Sequence, residues 1–218
     1  MPHATEILDG LSAIANRASG IAVAWHIVIA MALVALAAGW RPSQRTARLL
    51  MGMPLASVAG VAIVFNNPFN GLVFGASALP LTAIAMGGDR RLVSRGSAWA
   101  RGMGVTTIAF GWVYPHFLQG DATTYLYAAP VGLVPCPTLA VAIGFALVGN
   151  GLGSRVWSLT LGALGLFYGL FGVLRLGVFL DIGLVGGALA LVAVVLHAAR
   201  SDRAGLAHRP RTRSERAA

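Results

Sequence analysis

Between Val156 and Ala199 the chain is apolar almost without a break, and its only charged residues there are Arg175 and Asp181. One helical crossing of a bilayer takes about 20 residues, so this stretch is too long for one crossing and must fold back on itself. The simplest division is a span over 156–174, a tight turn, and a span over 178–199. The same reading applied upstream gives apolar runs at about 20–40, 49–66, 70–88 and 102–118, and one from Pro135 to the "GNGLG" turn. The runs are continuous rather than alternating, which favours helices over a barrel. The expected fold is therefore all-α: a polytopic membrane protein with about seven transmembrane helices. A composition of 57% hydrophobic and 11% charged residues agrees.

The polar residues set the boundaries. Residues 1–19 carry Ile7, Leu8, Leu11, Ile14 and Ala15 on one helical face, which predicts a short interfacial helix with Thr5 at its start. Pro54 and Pro80 are expected to bend the second and third spans. Residues 1–199 read as a single transmembrane helical domain, and "RSDRAGLAHRPRTRSERAA", 200–218, as a basic, disordered cytoplasmic tail. The glycine pairs Gly71/Gly75, Gly165/Gly169 and Gly183/Gly187 have the spacing that lets helices pack closely, so the last two spans are expected to form a tight hairpin.

The net charge of +9 comes from sixteen basic residues, all of them Arg. A seven-span threading puts fourteen on one side and leaves only Arg17 and Arg175 on the other. By the positive-inside rule the N-terminus faces outward and the C-terminus lies in the cytoplasm. Trp40, Trp99 and Trp157 fall at the expected inner boundary. The basic surplus is thus assigned to topology and not to nucleic acid. The absence of Lys excludes a retinal Schiff base and amine-nucleophile chemistry. A single Cys excludes an internal disulfide, and the first 30 residues lack the order of a cleaved signal peptide.

Threaded in this way, the scattered polar residues gather at the outer ends of the spans. The richest stretch is "WVYPHFLQGDATTYLYAAPVGLVPCPTL", 112–139. Its prolines restrict the chain at both ends, which suits a structured cap over the start of the fifth span. A ligand or ion pocket lined by His26, Tyr114, His116, Cys136 and Asp181 is one expectation, and purely structural closure is the alternative. Arg175 and Asp181 are expected to pair across the last outer turn, because an uncompensated charge in the hydrocarbon costs about 2.5 to 3.5 kcal/mol at a helix centre. His26, His116, Cys136 and Asp181 are competent ligands for zinc or copper, and two His for haem, but no local spacing motif stands behind either. The expectation is no cofactor, with metal left open.

"YPHF", "YAAPVGLVPCPTLAVAIGFAL" and "LRLGVFLDIGLVGGAL" together resemble a bacterial multi-pass membrane family, the domain of unknown function 6064 family. Tyr114, Pro115, Pro130, Gly132, Pro135, Cys136, Pro137, Thr138, Asp181, Gly183 and Leu184 occupy the matching positions. The Pro-Cys-Pro-Thr segment is the specific part. "FNNPFN" lacks a His where the family commonly has Tyr-His, and "QGDATTY" lacks its Gly-His, which counts against a family-wide metal site here. The resemblance implies a multi-pass protein of a bacterial cytoplasmic membrane and carries no activity with it.

Two functional classes follow. One is a small-molecule or ion transporter, or a membrane-embedded binding protein, with its site toward the outer face. The other is a non-transporting accessory or assembly protein without its own ligand. An enzyme ranks third, for want of a recognisable nucleophile, base and orienter. Membrane lipids are the expected partners, and a second copy of the chain or another membrane protein stays open.

Overall fold

A computed structural model describes residues 3–88 and 90–207, with side chains as far as 199. Its elements are α1 (Ala4–Arg17), α2 (Ser19–Ala37), α3 (Gln44–Val64), α4 (Pro68–Met86), α5 (Ala98–Val113), the single turn α6 (Tyr125–Ala128), α7 (Pro135–Val148), α8 (Arg155–Arg175) and α9 (Ile182–Ala207). Short 3-10 turns precede α6, α8 and α9. Five stretches are long and apolar enough to cross a membrane: α2, α3, α4, α8 and Phe179–Ala199. These mark a membrane-embedded protein. The helices α5 and α7 are shorter, with 16 and 14 residues.

Several expected boundaries move. The sequence puts the fourth apolar run at about 102–118, but its helix begins at Ala98 and ends at Val113, which leaves His116 in the following loop. The helix α9 continues to Ala207, so the tail expected to be disordered from 200 is helical at its start. Its remainder, 208–218, lies outside the described residues. The N-terminal helix starts behind His3, whose amide donates to the Glu6 carboxylate at 2.9 Å, and not at Thr5.

The short helix α7 is the centre of the molecule. Every residue from 128 to 147 is buried except Cys136, which is half-buried. Fourteen residues span about 21 Å at 1.5 Å per residue, less than the roughly 30 Å of a hydrocarbon core. A helix apolar all round that lies inside protein needs no lipid-matching length. Its neighbours are α3, α5, α8 and α9. Against α5 the backbones nearly touch: a Cβ on Gly104 would stand 2.7 Å from the Gly144 carbonyl oxygen. The helix α8 presents Gly162, Gly165, Gly169 and Gly172 to α9 and its approach turn, the hairpin expected of the last two spans. Gly183 and Gly187 turn away from that hairpin, toward Phe110 and Thr107 of α5.

At one end of the bundle, the connectors 38–43 and 90–97 pair like a short ribbon, through Val93 N–H to Pro42 C=O (3.0 Å) and Gln44 N–H to Arg91 C=O (2.8 Å). Arg48 is 5% exposed there. Its Nε donates to the Leu152 carbonyl at 3.0 Å, and a terminal nitrogen donates to Gln44 Oε1 at 2.9 Å. Leu152 and Asn150 have φ of 53° and 48°, uncommon for residues with a Cβ. Arg48 and Ser158, whose hydroxyl donates to the Gly151 carbonyl at 2.9 Å, hold that turn. Trp157 was expected at the headgroups; it is instead fully buried, with its indole donating to the Leu81 carbonyl at 3.0 Å.

Candidate functional site

The opposite end, where α7 begins, holds the polar cluster. The chain enters α7 through a buried non-helical segment, which is tolerated at depth only when protein encloses it and its backbone is partnered. Thr138 supplies much of that partnering. Its hydroxyl accepts from Gly132 N–H at 2.8 Å and donates to the Val134 carbonyl at 2.7 Å. Gly132 has φ of 76°, and a Cβ there would collide with the indole of Trp25. Only glycine fits. Pro135 then starts the helix where its missing N–H costs nothing.

Asp181 is 1% exposed and receives two side-chain donors. The Tyr114 hydroxyl donates to Oδ1 at 2.7 Å, and the Cys136 thiol donates to Oδ2 at 3.3 Å. Three of the five residues expected to share a pocket therefore meet directly. They come from the loop after α5, the first turn of α7 and the turn before α9. Gly172 of α8 makes room for them, since a Cβ at that position would overlap the Asp181 carboxylate. A hydrogen bond to a charged group contributes about 1.5 to 3 kcal/mol, which offsets much of the cost of burying this carboxylate. Arg175, expected to pair with Asp181, contributes to the wall of the adjoining cavity, and the two carboxylate oxygens are held by Tyr114 and Cys136.

The two histidines are placed differently. His116 is half-buried in the loop, with its ring 4.3 Å from that of Phe117 and 6.5 Å from that of Tyr114. Burial holds its imidazole below the ordinary histidine range, because the charged form loses hydration. His26 is 3% exposed on α2, with Nε2 at 3.0 Å from the Trp112 carbonyl and Nδ1 at 2.9 Å from the Ala22 carbonyl. It binds a carbonyl that the end of α5 would leave without a helical partner. Neither ring reaches Asp181. Among the described residues, no three His, Cys, Asp or Glu side chains come together as a metal-binding group.

Beside the Tyr114–Asp181–Cys136 cluster lies a cavity of about 500 Å³. Cys136 and Asp181 stand in its wall. Leu11 and Ile14 of α1, and Phe69 and Phe171 at the ends of α4 and α8, supply apolar surface. Asn70, another wall residue, accepts from the Tyr168 hydroxyl at 2.9 Å, a buried α4–α8 link that sequence reasoning missed. The signal available was a single Tyr within the apolar stretch 161–174 of α8.

Helix α1 fixes the edge of this cavity. Phe117, which also lines it, has φ of 80°, a strained conformation for an aromatic residue. Its carbonyl accepts from Ser12 Oγ at 2.9 Å and from Asn16 Nδ2 at 2.8 Å, while Asn16 Oδ1 accepts from Gln119 N–H at 2.9 Å. The strained loop is thus clamped by an element more than a hundred positions away in sequence. Comparison with protein-family models, curated proteins and solved structures returned no match.

Proposed function

We propose that the chain is a membrane-embedded binding protein that holds an amphipathic small molecule in the cavity beside Cys136 and Asp181. The observation that carries this reading is the cavity itself: largely apolar walls with a few convergent polar groups, the usual composition of a small-molecule site. Binding is favoured over transport because α7 fills the middle of the bundle. From Leu139 to Leu147 its residues are apolar and buried, and passage across the bilayer would need a polar path there. On this reading α5 and α7 complete a seven-helix bundle in a bacterial cytoplasmic membrane. The arginine count then puts the cavity toward the outside and the arginine-rich connectors in the cytoplasm. Membership of the domain of unknown function 6064 family is part of the same proposal.

The test uses Gly10, which lines the cavity and has no atom within 4 Å of a Cβ built on it. Gly10→Trp should fill the space with little strain. Wild type and variant are purified from membranes in mild detergent, and organic extracts are compared by mass spectrometry. A small molecule held by the wild type and lost from an equally stable variant supports the reading. Identical extracts overturn it. Reporter fusions at Ala218 and within 121–129 should report opposite sides of the membrane, and the same side for both would sink the seven-helix topology.

A further inference from the structure

The arginine-rich end of the bundle carries a second feature, separate from the Cys136 cavity. An apolar groove of about 770 Å³ runs between α2 and α3, from Trp25 and Pro54 to Trp40, with Val141 of α7 also in its lining. It adjoins a smaller cavity of about 270 Å³, with which it shares Ala32, Trp40, Leu50 and Met51. Arg41, Arg95 and Arg101 line that smaller cavity, and no carboxylate does so among the described residues. The fold imposes this concentration of charge. The ribbon pairing of connectors 38–43 and 90–97 draws Arg41 toward Arg95, and Gly96 N–H, bound to the Val148 carbonyl at 2.9 Å, ties the second connector to the end of α7.

Three arginines in the lining of one cavity repel each other unless an anion joins them. Guanidinium matches phosphate oxygens in a bidentate geometry. The groove selects the kind of anion. From Trp25 to Ala37, where α2 ends, the helical rise is about 18 Å, enough for an acyl chain crossing a leaflet of about 15 Å. A soluble anion would use the mouth and leave the groove empty. Trp40 is 41% exposed at the junction, where an indole suits the headgroup boundary. We propose that this groove and its arginine mouth bind one phospholipid with an anionic phosphate headgroup, its chain between α2 and α3 and its phosphate among Arg41, Arg95 and Arg101. The proposal needs membrane embedding but is independent of any ligand beside Cys136.

Detergent-purified protein is titrated with phosphatidylglycerol, with phosphatidylcholine of the same chain length, and with inorganic phosphate. Native mass spectrometry reads occupancy, and the unfolding midpoint reads stabilisation. The wild type should retain phosphatidylglycerol over phosphatidylcholine, and the preference should shrink by about fivefold for each arginine removed, in Arg101→Gln and then in the Arg41→Gln/Arg95→Gln/Arg101→Gln variant. Ala35→Phe, which narrows the groove at a residue outside the lining of the smaller cavity, should lose bound lipid of either kind. Equal retention of the two lipids by the wild type, or a preference unchanged in Arg101→Gln, overturns the proposal. So does stabilisation by inorganic phosphate equal to that by phosphatidylglycerol, since that would assign the mouth to a soluble anion.

Discussion

Among the described residues, each end of this bundle buries one charged side chain, and the two are partnered in opposite ways. Arg48 donates to a backbone carbonyl and to Gln44, where it holds the left-handed turn at 150–153 against α3. Asp181 accepts from a phenol and a thiol, beside a cavity of about 500 Å³. The Leu152 carbonyl cannot move without unwinding a connector, so Arg48 works as a structural fastening. Tyr114 and Cys136 are side chains, and Cys136 stands with Asp181 in the cavity wall, where a bound molecule can reach them. The partners distinguish the two roles better than burial does, since both charged residues are nearly inaccessible.

The contrast breaks most sharply on stability. Arg48→Met should destabilise by about 3 kcal/mol or more, since it removes two hydrogen bonds from a charged donor at about 1.5 to 3 kcal/mol each. Asp181→Asn keeps the shape and the acceptor for Tyr114, and should cost no more than about 1 kcal/mol, one ordinary hydrogen bond. Denaturant unfolding in mixed micelles measures both. Equal losses would make the Asp181 cluster another fastening and remove its claim to be a site.

Gly172→Ala sharpens the same comparison. The new methyl must displace the Asp181 carboxylate, at a cost of about 1 to 3 kcal/mol as in other overpacked interiors. The cysteine should report the displacement: loss of its bond to Oδ2 should change the rate at which a small maleimide alkylates Cys136. An unchanged rate together with an unchanged midpoint would mean that the carboxylate is not held where α8 and α9 meet. A smaller loss, about 1 kcal/mol for a typical hydrogen bond, is expected for Asn16→Ala, which frees one donor to Phe117 and the acceptor for Gln119. Hydrogen exchange should then rise in 114–121 and stay constant in 149–154.

The all-helical fold was legible because apolar runs of bilayer length admit few alternatives. The burial of α7 was not. "PTLAVAIGFALV" is as greasy as a lipid-facing helix, and hydropathy does not separate lipid from protein as the neighbour. At the site, Tyr114, Cys136 and Asp181 stood out as polar residues among apolar ones, and the structure brings them into contact. His26 stood out for the same reason but serves the end of α5 instead, since sequence contrast marks a polar residue and not its partner. Arg48 escaped notice because it lay among arginines that orient the helices. Nothing in its spacing set it apart from Arg41 and Arg45. The clamp of Ser12 and Asn16 on Phe117 is a contact between distant segments, beyond any local pattern.

The smallest expected effect concerns pH and again separates the two ends. His116 lies half-buried against Phe117 and Tyr114, and burial lowers its affinity for a proton below that of the unfolded chain, whose reference value is 6.5. The unfolded state therefore binds more protons than the folded state as pH falls through and below 6.5. Stability tied to this group is fully present above 6.5 and is lost as pH falls toward the lowered folded value. The loop lies outside the helices, so the loss should show locally. Between pH 7.5 and 5.5, protection against exchange, taken relative to the intrinsic amide rate at each pH, should fall in 114–121, while that of 149–154, where no histidine stands, stays level. His116→Gln should flatten the first response and leave the second unchanged. If the variant keeps the full pH dependence, the titrating group lies elsewhere, and the loop would have to be treated as rigidly as the turn that Arg48 holds.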